Sequence, residues 1–376
     1  MKDKTTSVYE RRYDIDWIRV IVFDLLIFYH VIMFFVDWDF HIKNNEIVYW
    51  IESPMLFLNQ WRLPILFVIS GIGTRFAMNH RSGLKYIKER LSRLLIPLIA
   101  GILIIVPPQV YIERISQGFE YNSYLSFYPD FFNGIYPTGN FSYHHLWFIA
   151  YLLTMSLLAT PLFLYLRKEG NSFIKLIKRK VEHQPLFLYV PILFFLIPEY
   201  TLKSFPATRA FIDDWYAWSV YSLCFIIGFV LICMKETFWK ALNKVRYLSL
   251  AIGILSFSIL ITHAGGKQFH DSIYPWIPIL KVTNMWTWIL AIFAWSARFL
   301  NKKNNLILQR NNAVYPFYIV HQTIIIFFGY LLMDVQMHYG FKMLIMVVAT
   351  FFLSWIIYKQ IIMRFNFLKP LFGVKV

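Results

Sequence analysis

The chain divides into about ten apolar runs, most of them close to the 17–25 residues that a helix needs to cross a bilayer. They fall near Trp17–Val36, Pro54–Met78, Leu94–Ile112, His145–Leu166, Pro185–Pro198, Trp215–Met234, Leu248–Thr262, Ile277–Phe299, Tyr315–Met333 and Met343–Ile362. The fifth and seventh are short. Hydrophobic residues make up 58% and charged residues 15%, where a soluble domain carries about 25% charge. The expected fold is all-α: a polytopic integral membrane protein with about ten transmembrane helices. One membrane domain over residues 1–376 is expected, with short tails at 1–14 and 364–376 and no soluble domain.

The formal net charge is +16, and its distribution decides what it means. With ten spans both termini lie on one side. Of the 37 Lys and Arg, only seven fall on the other: Lys43, Arg114, Lys203, Arg209, Lys267, Lys281 and Lys342. Arg19 and Arg62 lie within spans. This asymmetry is the positive-inside signal and predicts cytoplasmic termini. The excess charge then reports topology and contact with anionic membrane lipids, not nucleic acid. The first span has no small-residue cleavage site and is expected to remain uncleaved. Cys224 and Cys233 share one span at different depths, so no disulfide between them is expected. No C-x-x-C or H-E-x-x-H spacing and no Gly-rich phosphate loop appears.

Within this apolar background, Arg19 and His30 stand out. Eleven steps of about 100° return a helix to within roughly 20° of the same face, so both lie on one face, about 16 Å apart along the axis. Ionisable side chains at this depth are expensive and mark a functional site by default. Taken singly, each has a plainer role. Arg19 can snorkel to headgroups, and a membrane histidine can bond between helices. His144 reads as a solvated loop residue. Asp16 reads as a helix N-terminal charge and Asp24 as the partner of a buried arginine. The Arg19–His30 pairing favours function. Arg62, after Asn59-Gln60-Trp61, lies at a depth comparable to His30; His145 opens the fourth span and His321-Gln322 lies in the ninth. Imidazoles and a guanidinium are thus expected to converge in the outer half of the bundle. Arg19 and the basic loops, Arg75 to Arg93 and Arg167 to Lys180, form a separate cytoplasmic pole. The outer loop from Glu113 to Tyr143 is rich in Phe and Tyr, which suits interfacial anchoring first and sugar stacking second.

These residues carry a resemblance. Asp16-x-x-Arg19 followed by ten residues and His30 resembles the signature of the membrane acyltransferase-3 family. So do Phe67-Val68-Ile69-Ser70-Gly71, His145-Leu146-Trp147-Phe148 and Tyr315-Pro316-Phe317-Tyr318-Ile319-Val320-His321-Gln322. The Arg62-Leu63-Pro64 stretch looks most like the branch with the periplasmic-glucan succinyltransferases. No esterase-like domain is expected beside the membrane domain, which leaves the acceptor open.

The resemblance implies transfer of an acetyl or succinyl group from a cytoplasmic donor to an extracytoplasmic glycan hydroxyl. No permanent cofactor and no metal are expected; acyl-CoA is the donor substrate, and the location is the plasma membrane of a bacterial-type cell. Arg19, with Arg75, Arg90 and Arg93, would hold donor phosphates. His30 would act as general base. Arg62, Asn59, Gln60, His145, Trp147, Tyr318, His321 and Gln322 would bind substrate, with Arg62 or a histidine stabilising charge on the thioester carbonyl. Two other classes fit a polytopic chain with charges at mid-depth: a secondary transporter, or a polysaccharide or lipid export component.

Overall fold

The computed structural model describes residues 11–79, 81–205, 208–264 and 275–375. Residues 1–10 of the expected N-terminal tail, His80 and Lys267 lie outside them. Among the described residues there is no strand beyond a single bridge between Ile135 and Phe141. Seven helices among the described residues are long and apolar enough to cross a membrane, or eight if one pair bent by 56° is taken as a single span.

Helix α1 covers Tyr13–Met33, 21 residues, or about 32 Å at 1.5 Å per residue. Its length suffices for a crossing, but Asp16, Arg19 and Asp24 interrupt its apolar character, so it is not among the seven. Helix α2 is Glu52–Ala77. The third, α3, runs through Gly83–Ser116, with π turns at Leu91–Leu95 and Gly101–Ile105 on either side of Pro97, whose missing N–H shifts the bonding register. It begins earlier than the apolar run because the Ser82 hydroxyl accepts the Lys85 N–H at 3.3 Å and starts a helix. Lys85, Lys88, Arg90 and Arg93 therefore sit on helix and not in a loop.

The outer loop contains a short helix, α4, at Tyr124–Asp130. Its Phe127, and Phe131 just after it, are fully buried in an aromatic cluster, with Tyr121 and Phe127 rings 5.0 Å apart. These rings serve packing before any sugar could reach them. Helices α5 (Trp147–Leu158) and α6 (Thr160–Leu166) form the bent pair, broken where Pro161 opens α6. The basic stretch expected as a loop is largely helical, as α7, Ser172–His183. Helix α8 is Pro191–Thr201, α9 Trp215–Cys233 and α10 Glu236–Ala264. Helix α10 starts well before the expected Leu248, because Phe238, Leu242 and Val245 bury one face while Lys240 and Lys244 stay exposed. Helix α11, Ile277–Phe299, keeps the expected bounds. Helix α12, Asn305–Leu332, starts at an Asn304 cap and so includes Arg310 and Asn311. Helix α13 is Tyr339–Ile356. Cys224 and Cys233 are both free thiols.

Two contacts set the frame around the site. Helices α1 and α12 run parallel, with Asp16 beside Asn311 and His30 beside His321. Helices α2 and α9 touch backbone to backbone: a Cβ added at Gly71 would overlap the Phe225 carbonyl, and one at Gly228 the Val68 carbonyl. Close approach through small residues is how helices gain contact where lipid supplies no hydrophobic drive. Gly228→Leu should lower the stability of the protein in detergent by about 1–3 kcal/mol or more, with Gly228→Ala smaller and of the same sign. Thermal unfolding followed by fluorescence measures this; a Leu variant as stable as the parent would show that the two backbones do not meet there.

Candidate active site

Helix α1 brings His30 to α12. Its Nδ1 lies 2.8 Å from Nε2 of His321, with the rings stacked at 5.1 Å. The other His321 nitrogen, Nδ1, lies 2.7 Å from the Tyr318 carbonyl. A carbonyl only accepts, so His321 carries its proton on Nδ1 and offers a lone pair at Nε2. His30 must then donate from Nδ1. That tautomer leaves Nε2 of His30 with a free lone pair, the form a base or nucleophile requires. His321 is fully buried, and its lone pair fixes the orientation of this ring.

His145 joins the same group. Its Nε2 donates to the Ile319 carbonyl at 3.0 Å, and its ring stands edge-on to His321 at 5.1 Å. The Tyr318 hydroxyl donates to the His145 carbonyl, tying α12 to the turn before α5. Arg62 of α2 is 2% exposed, and its guanidinium stacks over the Tyr29 ring at 3.5 Å. Neither Nε nor Nη1 has a hydrogen-bond partner, and no carboxylate pairs with it among the described residues. A buried guanidinium in this state is poised for an anion. Trp147 packs on Tyr221 at 5.7 Å, and the Arg209 guanidinium lies over its face at 5.5 Å. Asn59 and Gln60 do not join the group: Asn59 is exposed, and Gln60 bonds back to the Leu56 carbonyl of its own helix at 3.4 Å.

At the other end of α1, Arg19 donates to Asn311 at 2.9 Å and lies 3.4 Å from Asp16. Arg310 closes the seam with Asp24 at 2.5 Å, so the buried-arginine partner expected for Asp24 comes from α12. Of the three arginines grouped with Arg19 by sequence, Arg75 and Arg93 line different clefts. Arg93 lines a cavity of about 380 Å³ with Arg81, Lys85 and Pro370. Arg75 lines a separate cleft of about 450 Å³ with Asn79 and Arg167. Arg90 stacks on Tyr86 at 4.8 Å. Arg93 and Arg81 both approach Glu89, at 3.7 and 3.0 Å.

Sequence spacing did not reveal a second polar group. His41 Nδ1 lies 2.8 Å from Glu113, and its Nε2 lies 3.1 Å from His144 Nδ1 and 3.0 Å from Gln322 Nε2. Tyr136 donates to the other Glu113 oxygen at 2.8 Å. His144 is buried here and is not the solvated loop residue expected. The available signals were an acidic residue closing an apolar run and a histidine doublet opening another.

A helical bundle with a buried imidazole pair, an unpaired guanidinium and a basic opposite end defines a membrane group-transfer enzyme more readily than a passive channel. The chain matches the family described as "Acyltransferase domain" over residues 12–359 and belongs to it, the acyltransferase-3 family. It is a multi-pass membrane acyltransferase, and the transporter and export readings fall away. It is 23% identical over 328 residues to the glucans biosynthesis protein C of Escherichia coli K12, covering 85% of this chain and 83% of that one. The proteins of the same name from E. coli strains HS and 536 match to the same extent. No solved structure matches the chain.

His321→Ala should lower turnover by roughly 10²-fold, because the His30 ring loses the acceptor that fixes its tautomer. His321→Gln, which keeps an acceptor oxygen, should recover part of it. Steady-state turnover of the purified variants decides; an Ala variant with parental turnover would remove His321 from the reaction.

Proposed function

We propose that the protein moves an acetyl or succinyl group from acyl-CoA at the cytoplasmic face to a hydroxyl of an extracytoplasmic glycan or another cell-envelope acceptor. In this reading the chain crosses the plasma membrane of a bacterial-type cell ten times, with both termini inside. One observation carries it. Arg62 is buried without a partner for Nε or Nη1, at the end of the bundle where His30 has a free ring nitrogen. A thioester carbonyl gains negative charge as it is attacked, and an unpaired guanidinium stabilises that oxygen without reorganising. The name of the E. coli relatives, a glucans biosynthesis protein, supports a glucan-type acceptor.

Arg19 and His30 are separated by about 16 Å along α1. Coenzyme A carries its thioester on a long flexible arm, away from its phosphates. Phosphates near Arg19 and the clefts lined by Arg93 and Arg75 would leave the thioester free to reach His30. There, Nε2 either takes the proton of the acceptor hydroxyl in one step, or takes the acyl group first and passes it on. Both routes use Arg62 on the carbonyl oxygen.

Proteoliposomes with acyl-CoA on one side and a gluco-oligosaccharide on the other test this reading. His30→Ala should lose about 10²–10⁴-fold in turnover while still inserting. Arg19→Ala should raise the half-saturating donor concentration, and Arg19→Lys should restore it only in part, since an ammonium lacks the planar fork. A well-folded His30→Ala variant with near-normal transfer would refute the site. The topology is tested independently. Reporter fusions after Met78 and Lys180 should read cytoplasmic, and one within 127–136 extracytoplasmic; a cytoplasmic signal from the last would reverse the two faces.

A further inference from the structure

The cavity lined by Arg93 has the C-terminal part of the described chain as one wall. A short helical turn at Lys369–Phe372 packs against α3 and α12. Gly373, just after it, has φ of 66°, and a Cβ added there would overlap the Tyr315 ring of α12. A residue without a side chain seats the turn this closely. The cavity, of about 380 Å³, lies between Arg81, Lys85 and Arg93 on one side and Gly373, Val374 and Lys375 on the other. Its volume is in the range of small-molecule sites. Glu89 approaches Arg81 at 3.0 Å and Arg93 at 3.7 Å, and so holds both guanidiniums in place. Four cations against one carboxylate leave an excess of positive charge that suits a dianion.

The second basic cleft adjoins this one. Arg167, which lines it with Arg75, donates to the Arg81 carbonyl at 2.7 Å. Arg81 in turn lines the first cavity. The two differ in their relation to the reaction centre. Arg19 Nη2 lies against α2 at Gly73, two residues before Arg75. The same helix carries Arg62, about 20 Å from Arg75 at 1.5 Å per residue. The Arg75 cleft thus stands at the foot of the helix that leads to Arg62, whereas the Arg93 cavity stands between α3 and the terminal turn. Coenzyme A has two separate phosphate groups: a diphosphate at the root of the thioester arm, and a monoester on the ribose 3′-oxygen, away from that arm. Resting on the acyl-CoA reading above, we propose that the Arg93 cavity is a subsite for the 3′-phosphomonoester of the donor, walled by the turn at 369–375, with the diphosphate toward Arg75 and Arg19. A phosphomonoester carries about −1.5 to −2 charge at neutral pH, which matches the excess in the cavity.

The consequence is donor specificity. A thioester of dephospho-coenzyme A lacks the monoester, and so does a thioester on the phosphopantetheine of a carrier protein. Either would leave the cations of the cavity without their anion. The site therefore selects free coenzyme A thioesters over both. None of the lining residues belongs to the group around His30, so the selection acts on donor binding and leaves turnover alone.

Lys85 and Lys375 are exposed, so their removal leaves the bundle intact. The wild type, Lys85→Ala, Lys375→Ala and the double variant are compared in phosphatidylcholine proteoliposomes. Acetyl-CoA and succinyl-CoA, and the dephospho form of each, serve as donors to a gluco-oligosaccharide. In the wild type the half-saturating concentration should be about 10-fold or more lower for the 3′-phosphorylated donor. Each single change should shrink that ratio by about 2–5-fold, and the double change by more, through weaker binding of the 3′-phosphorylated donor at unchanged turnover. A wild-type ratio near one, or a double variant that keeps the wild-type ratio, overturns the proposal. So does a lysine effect that appears only when anionic lipid is added and is equal for both donors, since the cavity would then hold a lipid headgroup phosphate. If the wild type transfers from neither form of either donor, the acyl-CoA reading itself fails and this subsite with it. Transfer from both forms without preference defeats the subsite alone.

Discussion

Hydrocarbon offers a charged side chain no water, so Asp16, Arg19, Asp24 and His30 along α1 are answered by another helix. Asp16 meets Asn311, Arg19 meets Asn311, Asp24 meets Arg310, and His30 meets His321. All four answers come from α12. The seam runs from one end of α1 to the other and fixes the register between two helices far apart in sequence. Bonds between membrane helices contribute about 0.6 kcal/mol each on average, so four of them specify register more than they stabilise the bundle. The register matters because a slide along α12 would take the His321 lone pair away from His30 and leave that ring without a fixed tautomer.

Arg62 is the exception to this pairing. Its guanidinium has a Tyr29 ring on one face but no carboxylate, although carboxylates elsewhere in the bundle are paired. Leaving one cation uncompensated at depth costs stability, and a fold that keeps it gains only if something negative arrives. The surrounding structure is rigid enough to hold the charge in place. Helix α2 carries Arg62 and is held against α9 through Gly71 and Gly228. Phe67, one helical turn and a half beyond Arg62, stacks on Tyr221 of α9 at 4.5 Å. The site therefore rests on two joints of different kinds, a polar one at α1–α12 and a close-packed one at α2–α9.

Much of the bundle was legible because apolar length and helical periodicity survive folding: the eighth run, Ile277–Phe299, matches its helix end for end. Helices ran longer than their apolar runs wherever a polar first turn was capped, as at Ser82 and Asn304. Hydropathy cannot see a cap, so Arg310, the partner of Asp24, falls before the start of the ninth apolar run. The convergence of His30, His145, His321 and Arg62 was legible because one rule, polar groups at matched depth in different spans, applies to all of them. Arg75 and Arg93 line different clefts, because nearness in sequence does not say which side of a helix faces which cleft. Glu113, His41 and His144 come from three segments, each just outside an apolar run, and no spacing joins them.

The two polar groups are linked through neighbouring residues. His144 and His145 are consecutive, yet one ring bonds His41 and the other bonds the Ile319 carbonyl. His321 and Gln322 divide likewise, His321 to His30 and Gln322 to His41 and Gln109. On α12 the division is ordinary, since consecutive helical residues point about 100° apart. In the turn before α5 it requires an unusual backbone: His144 has φ of 41°, a left-handed conformation that few residues besides glycine, asparagine, aspartate and histidine adopt readily. Such a residue stores on the order of 1–3 kcal/mol. The return is that a single turn orients two imidazoles toward different partners. With α1 supplying His30 and the loop after it His41, the same chain segments serve both groups, so a shift of α12 against α1 would disturb the two together.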